Sequence, residues 1–459
     1  MPADACRIAA VAMLFATLAW AAPEPASRLP AFPGAEGWGR FAAGGRGGDV
    51  YAVTTLADDG PGSLRDALRE GNRTVVFRIS GTIVLESELL LERSNVTIAG
   101  QTAPGGGICL RRFPLRIRGA RDVVVRHLRI RVGDEAGRPL DGLEIRDSHD
   151  VIIDHCSVSW AIDEVLNTWH GTSNLTVQWC LISEPLDRSL FGRPHGFAAS
   201  LGGRDTSYHH NLFAHAAGRN PSIAGGDHDD TERMDYRNNV IYNWRQRTCD
   251  GKPRSVNVVG NFYKPGPATE PHVARCIVRI DDTLAAYGTF EPRWHVEGNV
   301  VAGAPELTSD NWQGGVLFEG TTSEARNRER EPFPFAAVAT QPAEEAFELV
   351  LAGVGATRPA RDAVDARVLR EVAEGTASAG ERGIIDRPGD VGGWPELESR
   401  PAPADSDGDG MPDAWEAEHG LDPDDPADRN GRRLDAEYTN LECYLDERAG
   451  PARASAGQR

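Results

Sequence analysis

Aromatic residues make up only 7% of this 459-residue sequence. That argues against an interior of large rings and for small aliphatic side chains stacked in regular layers. Positive charge is also short: the formal net charge is −19 and the isoelectric point lies near 5.1. A general nucleic-acid binder needs a basic field, so that class is excluded. An acidic chain that held an acidic polymer would need bound cations, or arginines gathered in one groove. Beyond the N-terminus no apolar run is long enough to span a bilayer. The cysteines fit no zinc-ligand spacing. The Gly44-Gly-Arg-Gly-Gly48 stretch lacks the setting of a phosphate loop and reads as tight turns. No long amphipathic helix interrupts the middle of the chain.

Hydrophobic content of 40% and charged content of 25% are ordinary for a globular protein, while 50 glycines and 30 prolines point to many turns. Arg7 precedes an apolar run from Ile8 to Trp20, and Ala19-Trp20-Ala21 supplies a small-x-small site. Residues 1–21 therefore read as a signal peptide cleaved after Ala21, and the mature protein as soluble and secreted, extracellular or periplasmic. Export permits disulfides. Of the six cysteines left, Cys249 and Cys276 are a candidate pair; for Cys109, Cys156, Cys180 and Cys443, buried thiols are equally consistent.

Ser63-Leu-Arg-Asp66 resembles a capping box, and Gly71 supplies a stop, predicting one helix of about eight residues. The chain then repeats. Segments starting at His127, Cys156, Cys180, Asn211, Asn239, Asn261 and Asn299 lie 29, 24, 31, 28, 22 and 38 residues apart, each preceded by a second β-rich stretch such as Val123-Val-Val125 or Val151-Ile-Ile153. A period of 20–50 residues built from short strands means a solenoid. Asn211, Asn239, Asn261 and Asn299 recur at one position and are expected to form an internal ladder. Residues 305–400 are less regular and are expected to wrap the solenoid, with a short helix over Ala363 to Val372. The proposed division is 1–21 signal, 22–400 β-helix, and 401–459 linker and tail.

In the tail, Asp405, Asp407, Asp409, Asp413 and Glu416 match positions 1, 3, 5, 9 and 12 of a calcium-loop template, with Gly410 at 6. Asp428 to Tyr444 looks like a second, decayed loop. The pair resembles the calcium repeats of dockerin and thrombospondin type 3 modules. On the solenoid, Asp141, Asp163, Glu164 and Asn167 would converge if coils stack about 4.8 Å apart, and Arg219-Asn-Pro221 follows in the stack. His155, His209 and His210 sit at ladder-adjacent positions and read as packed core, as does at least half of the Trp160, Trp169 and Trp179 set.

Ala31-Phe-Pro-Gly-Ala-Glu-Gly-Trp-Gly39, Ile153-Asp-His-Cys-Ser157, Ser173 to Trp179, His210-Asn-Leu-Phe213 and Arg219-Asn-Pro221 together resemble the pectate lyases of polysaccharide lyase family 1, over about residues 30 to 400. The resemblance implies an all-β, right-handed parallel β-helix, with the calcium-loop module as a small C-terminal addition. It implies Ca2+-dependent β-elimination on polygalacturonate, an acidic polysaccharide, by a monomer, giving 4,5-unsaturated oligogalacturonates. Asp141, Asp163 and Asn167 match calcium-ligand positions, with Glu164 beside them. Arg219 matches the catalytic base, and Arg193 and His195 lie where substrate is bound. Leu143, Asn167 and Ala224 stand where many members have Asp, Asp and Arg. A glycoside hydrolase on the same fold would need paired carboxylates, for which Asp229-Asp230 or Asp281-Asp282 are the adjacent pairs. A non-catalytic glycan-binding β-helix is the third reading.

Overall fold

The computed structural model describes residues 28–223, 231–283 and 290–450. The expected signal peptide, Ala224 and the Asp229-Asp230 pair lie outside the described residues. Each coil of chain gives one short strand to each of three parallel sheets. The first sheet has ten strands, from Asp49–Val53 through Arg121–Arg126 and His149–Asp154 to Trp294–Glu297. The second has nine, from Gly81–Val84 to Val300–Val301, and the third nine, from Leu89–Leu91 to Val316–Glu319. This is a parallel β-helix, a solenoid as the repeat predicts and the architecture that the family resemblance implies.

Strand alternation explains the core. Val123, Val151, Leu175, Thr206, Met234, Val256 and Trp294 pair in one register column, and all are fully buried. The opposite strand face turns outward, because side chains alternate across a sheet. Small aliphatic layers fill the early coils. Tyr208, Tyr236, Trp244, Tyr263 and Trp294 fill the later ones, so the expected aliphatic layering holds for only part of the interior.

The asparagine ladder is present and runs one rung beyond the sequence pattern. Asn211 Nδ2 donates to Asn239 Oδ1 at 3.0 Å, Asn239 to Asn261 at 3.0 Å, Asn261 to Asn299 at 2.8 Å, and Asn299 to Asn311 at 2.9 Å. Upstream, Cys180 N donates to Asn211 Oδ1 at 2.8 Å and Cys156 N to Cys180 Sγ at 3.4 Å, so thiols continue the column. The register also corrects the repeat: Ser157 lies opposite Arg129, so Cys156 faces Leu128, one residue after His127.

Two further expectations are corrected. All six described cysteines are free thiols; Cys249 and Cys276 are buried and unbonded, with Thr248 Oγ1 donating to Cys276 Sγ at 3.3 Å. Burial pushes the Cys276 thiol up to about 11. The capped helix spans only Leu64–Ala67: Ser63 Oγ accepts from Asp66 N, but Leu68 has already left helical geometry.

The later segments do wrap the solenoid. Helices Ala343–Gly353 and Ala363–Glu374 set Val350, Val354, Val368 and Val372 against Leu181, Leu212, Val240 and Tyr242 of the second sheet. Tail helices Asp413–His419 and Asn440–Ala449 set Trp415, Leu441, Tyr444 and Leu445 on Val76 and Ala99 of the first. The segment around Trp38 covers the middle of the first sheet. Gly39 lies so close that an added Cβ would stand 2.2 Å from Val151 O. The charged groups considered next all belong to the third sheet.

Asn239→Ala strips a buried acceptor from the backbone N and the Nδ2 of Asn211 and removes the Asn239 donor to Tyr208 O. We expect a loss of stability of about 2–4 kcal/mol, more than one buried group's cost, read as a lowered denaturant midpoint.

Candidate functional site

Five neighbouring strands of the third sheet are Leu143–Arg146, Glu164–Asn167, Phe197–Leu201, Ser222–Ile223 and Cys249–Gly251. The turns that enter them carry Asp141, Asp163, His195, Arg219 and Arg247. Neighbouring strands lie about 4.8 Å apart. Residues distant in sequence therefore form one row, with carboxylates at one end and guanidiniums at the other.

Asp141 is 9% exposed. Its Oδ1 accepts from Glu164 N at 3.1 Å and its Oδ2 from Asn167 Nδ2 at 3.1 Å. The next residue, Gly142, lets the following coil approach: an added Cβ would meet Val165 O at 2.5 Å and Val158 Cγ1 at 2.7 Å. Asp141, Asp163 and Glu164 each offer an oxygen, all within 4.8 Å of one another. Burial, then repulsion from Asp163 and Glu144, pushes Asp141 up to about 7, against the opposing Asn167 hydrogen bond. Asn167 thus supports Asp141, and its own oxygen accepts from Trp169 N at 3.1 Å. Leu143 is core, paired with Leu115 and Leu166.

Arg219 stands beside the carboxylates. Its guanidinium pairs directly with Glu164, which is 4% exposed. Its backbone has φ 54, a left-handed conformation uncommon outside glycine. Its carbonyl accepts from Ala199 N at 2.9 Å, fixing the turn to the preceding strand. Its guanidinium carbon lies 4.2 Å from the centre of the Phe197 ring. His195 bridges the two groups: Nε2 is 3.0 Å from Asp163 Oδ1, and its ring centre is 4.1 Å from that of Phe197. Asp187 accepts from His195 N at 3.0 Å and is gripped by Arg245 through two contacts of 2.9 Å. Arg193 is exposed and joins the group through Phe191, whose ring centre lies 5.6 Å from its guanidinium carbon.

The structure therefore brings Asp141, Asp163, Glu164, Asn167, His195 and Arg219 together, with Arg193 at the edge. The Glu164–Arg219 pair was not foreseen. Phe197, Asp187, Arg245 and Arg247 were also missed; no motif marks them, and only the coil register puts them beside the site. Asp281 and Asp282 serve turns instead. Asp281 accepts from Thr283, and hydrogen bonds from Thr321 hold Asp282 below the usual carboxylate range, the opposite of what a general acid needs.

The histidines lie elsewhere. Trp179 stacks between His155 and His210 at 5.9 and 4.4 Å between ring centres, along the ladder. Burial pushes His209 down, and His210 down to about 4. His209 and His210 are thus packed core, as their sequence position implies, while His155 is partly exposed with Nδ1 2.8 Å from Asp154 Oδ1. Trp160 is fully buried, and Trp169 stacks on His170 at 4.3 Å.

In the tail, Asp405, Asp407 and Asp409 offer converging oxygens, and so do Asp409, Glu416 and Asp428. Asp413 turns away and accepts from Ser406 N at 2.6 Å and Ser406 Oγ at 2.7 Å. Asp428, read from sequence as the start of a second loop, faces the first.

The sequence is 35% identical over 428 residues to a protein named probable pectate lyase C from Aspergillus flavus, covering 92% of this chain and 94% of that one. It is 35% identical over 403 residues to a protein of the same name from Emericella nidulans, covering 86% and 87%. The chain belongs to the pectate lyase family. No family profile matches the sequence. The fold is similar to the crystal structure of Jun a 1, the major allergen from cedar pollen, with a TM-score of 0.51 at 17% identity, covering 70% of this chain and 92% of that one.

The Asp141 shift has a measurable sign. In metal-free protein the folded state keeps a proton on Asp141 up to about pH 7, while the unfolded chain loses it near 4. Stability therefore falls as pH rises through that window. Melting curves in chelator should show the fall in the parent protein and a flatter profile in Asp141→Asn.

Proposed function

We propose that the protein cleaves pectate by calcium-dependent β-elimination at the third-sheet site, releasing 4,5-unsaturated oligogalacturonates. One observation carries this reading: an arginine is held against a partly buried carboxylate cluster in the turns that enter neighbouring strands of the third sheet. Membership of the pectate lyase family supports it.

The donor set of Asp141, Asp163 and Glu164 is all hard oxygen, which suits calcium. Asp141, raised by burial and then by repulsion from its acidic neighbours, is a group whose charged form a divalent ion would stabilise. Calcium bound there would supply charge that holds a uronate carboxylate and acidifies the C5 proton. Arg219, having first given up its own proton to the medium, accepts the C5 proton as a neutral guanidine. The C5–H electrons become the C4–C5 double bond, the glycosidic C4–O bond breaks, and the departing oxygen takes up a proton. A guanidinium is protonated in water to above about pH 12, so an alkaline medium favours the step. His195 and Arg193 bind the uronate chain. Asn167 and Gly142 orient Asp141.

We assign a second calcium to the tail, as a structural ion. Asp409 and Glu416 are 1% and 0% exposed. Both Glu416 oxygens, and one each of Asp407, Asp409 and Asp428, have no protein hydrogen-bond partner. Burial, with repulsion among these groups, pushes Asp409 up to about 7 and Glu416 up to about 8. Buried charge this poorly paired is costly, and a hard cation on Asp405, Asp407, Asp409, Glu416 and Asp428 would resolve it. Arg78 ties the loop to the β-helix through Asp405 at 3.0 Å. Read as an export signal, residues 1–21 would carry the protein out of the cell to its substrate, and we propose that it acts there as a monomer. No helix of the described residues is long and apolar enough to cross a membrane.

Ultraviolet absorbance of polygalacturonate tests the reaction. The expected result is a calcium-dependent rise that grows with alkaline pH and drops by about 100-fold or more in Arg219→Ala. New reducing ends without the absorbance would favour hydrolysis and sink elimination. For the tail, calcium should raise the melting temperature of the parent protein by several degrees, about what 1–2 kcal/mol of linkage gives. Glu416→Gln should lose most of that part of the rise, and Asp413→Asn should keep it.

A further inference from the structure

Arg219 has a neighbour of its own kind. Arg247 precedes the strand Cys249–Gly251 much as Arg219 precedes Ser222–Ile223, and Ser222 pairs with Asp250 between the two coils. Phe197 serves both: its ring centre is 4.2 Å from the Arg219 guanidinium carbon and 5.3 Å from that of Arg247. Asp250, with a side chain 3% exposed, meets Arg247 Nε at 2.8 Å and Arg279 Nη2 at 3.4 Å. Its other oxygen accepts from Ser222 Oγ at 2.6 Å. Asn220 Nδ2 donates to Arg247 O at 3.0 Å, tying the Arg247 turn to the Arg219 turn. The Arg247 side chain is 27% exposed. It is braced from beneath and reaches solvent.

Two guanidiniums on one carboxylate leave a positive charge over. Along the row the order is Asp141, Asp163 and Glu164, then Arg219, then Arg247 and Arg279. The carboxylate end needs a cation before it can meet an anion; the arginine end meets one directly. A guanidinium fork matches a carboxylate with two parallel hydrogen bonds. Phe197 and Asp250 remove much of the side chain's freedom before the ligand arrives.

We propose that Arg247, set by Asp250 and Phe197, is a substrate-positioning residue that binds one uronate carboxylate on the side of Arg219 away from Asp141. This rests on the pectate lyase reading of the site. Its consequence is selectivity. A methyl-esterified uronate carries no charge and offers Arg247 no fork partner, so this position selects unesterified units without a metal ion.

The test uses the full-length protein with calcium present, comparing Arg247→Gln and Arg247→Lys with the parent on unesterified and partly methyl-esterified polygalacturonate. Arg247→Gln should raise KM on the unesterified polymer about tenfold, the scale of one charge-assisted contact, with kcat within about threefold. The gap between the two substrates should narrow. Arg247→Lys keeps the charge on Asp250, and should recover part of the KM; it guards against a Gln variant that fails to fold. The calcium midpoint should stay put, which a collapsed site would not allow. An unchanged KM and substrate preference in both folded variants overturns the inference, as does an equal loss of kcat on both substrates. If Arg219→Ala abolishes turnover while Arg247→Gln behaves as parent, only this inference falls. If the parent makes no unsaturated product, the pectate lyase reading falls and takes this one with it.

Discussion

Everything in this protein hangs on one coil stacking in register on the next. A strand of two to six residues cannot bury itself, and its backbone needs partners on both sides. Here each coil supplies them to its neighbours. The asparagine ladder adds a second set of bonds at one corner, where the chain bends and backbone groups would otherwise be stranded. A slip of one residue would break that ladder and turn Val151, Leu175 and Val256 from the core toward solvent.

The same registry makes the chemistry. Asp141 and Arg219 are far apart in sequence but belong to strands separated by two others, Glu164–Asn167 and Phe197–Leu201. Turns of different length can then place unlike charges side by side on a rigid edge. Glu164 takes part at both ends of this arrangement, as one of three converging carboxylates and as the partner of Arg219. The cluster is strained electrostatically, with Asp141 carrying the largest share, and it is held by Gly142, Asn167 and Asp187 rather than by its own charges.

Much of this was legible in the sequence because a solenoid repeats its rules. The Asn positions, the alternating Val and Ile, and the helix at Ala363 all carry local signals. The groups at Asp141, Asp163 and Arg219 were legible through motifs. What escaped depends on contacts between coils. Phe197 looks like any strand residue until Arg219 and Arg247 settle over its ring. Asp428 sits outside the calcium-loop spacing and reaches the loop only because the chain turns back. Cys249 and Cys276, a candidate pair by sequence, are kept by packing as separate buried thiols. The helix at Leu64 was drawn too long because Gly71 marks the start of the next turn, while Leu68 already ends the helical geometry.

The tail helices rest Trp415, Leu441, Tyr444 and Leu445 on Val76 and Ala99, with Val50 and Ala52 beside them. These helices, late in the chain, thus cover a face built by its first coils. During synthesis those coils emerge long before their cover does. Their outer apolar face stays bare while the remaining coils are made, a period in which other chains could pair with it. A chain cut short near residue 400 would carry the whole row of charged side chains described above, yet would keep that bare face permanently. Loss of the tail would then be felt as poor yield and clumping, at the end of the molecule opposite in sequence to the cut.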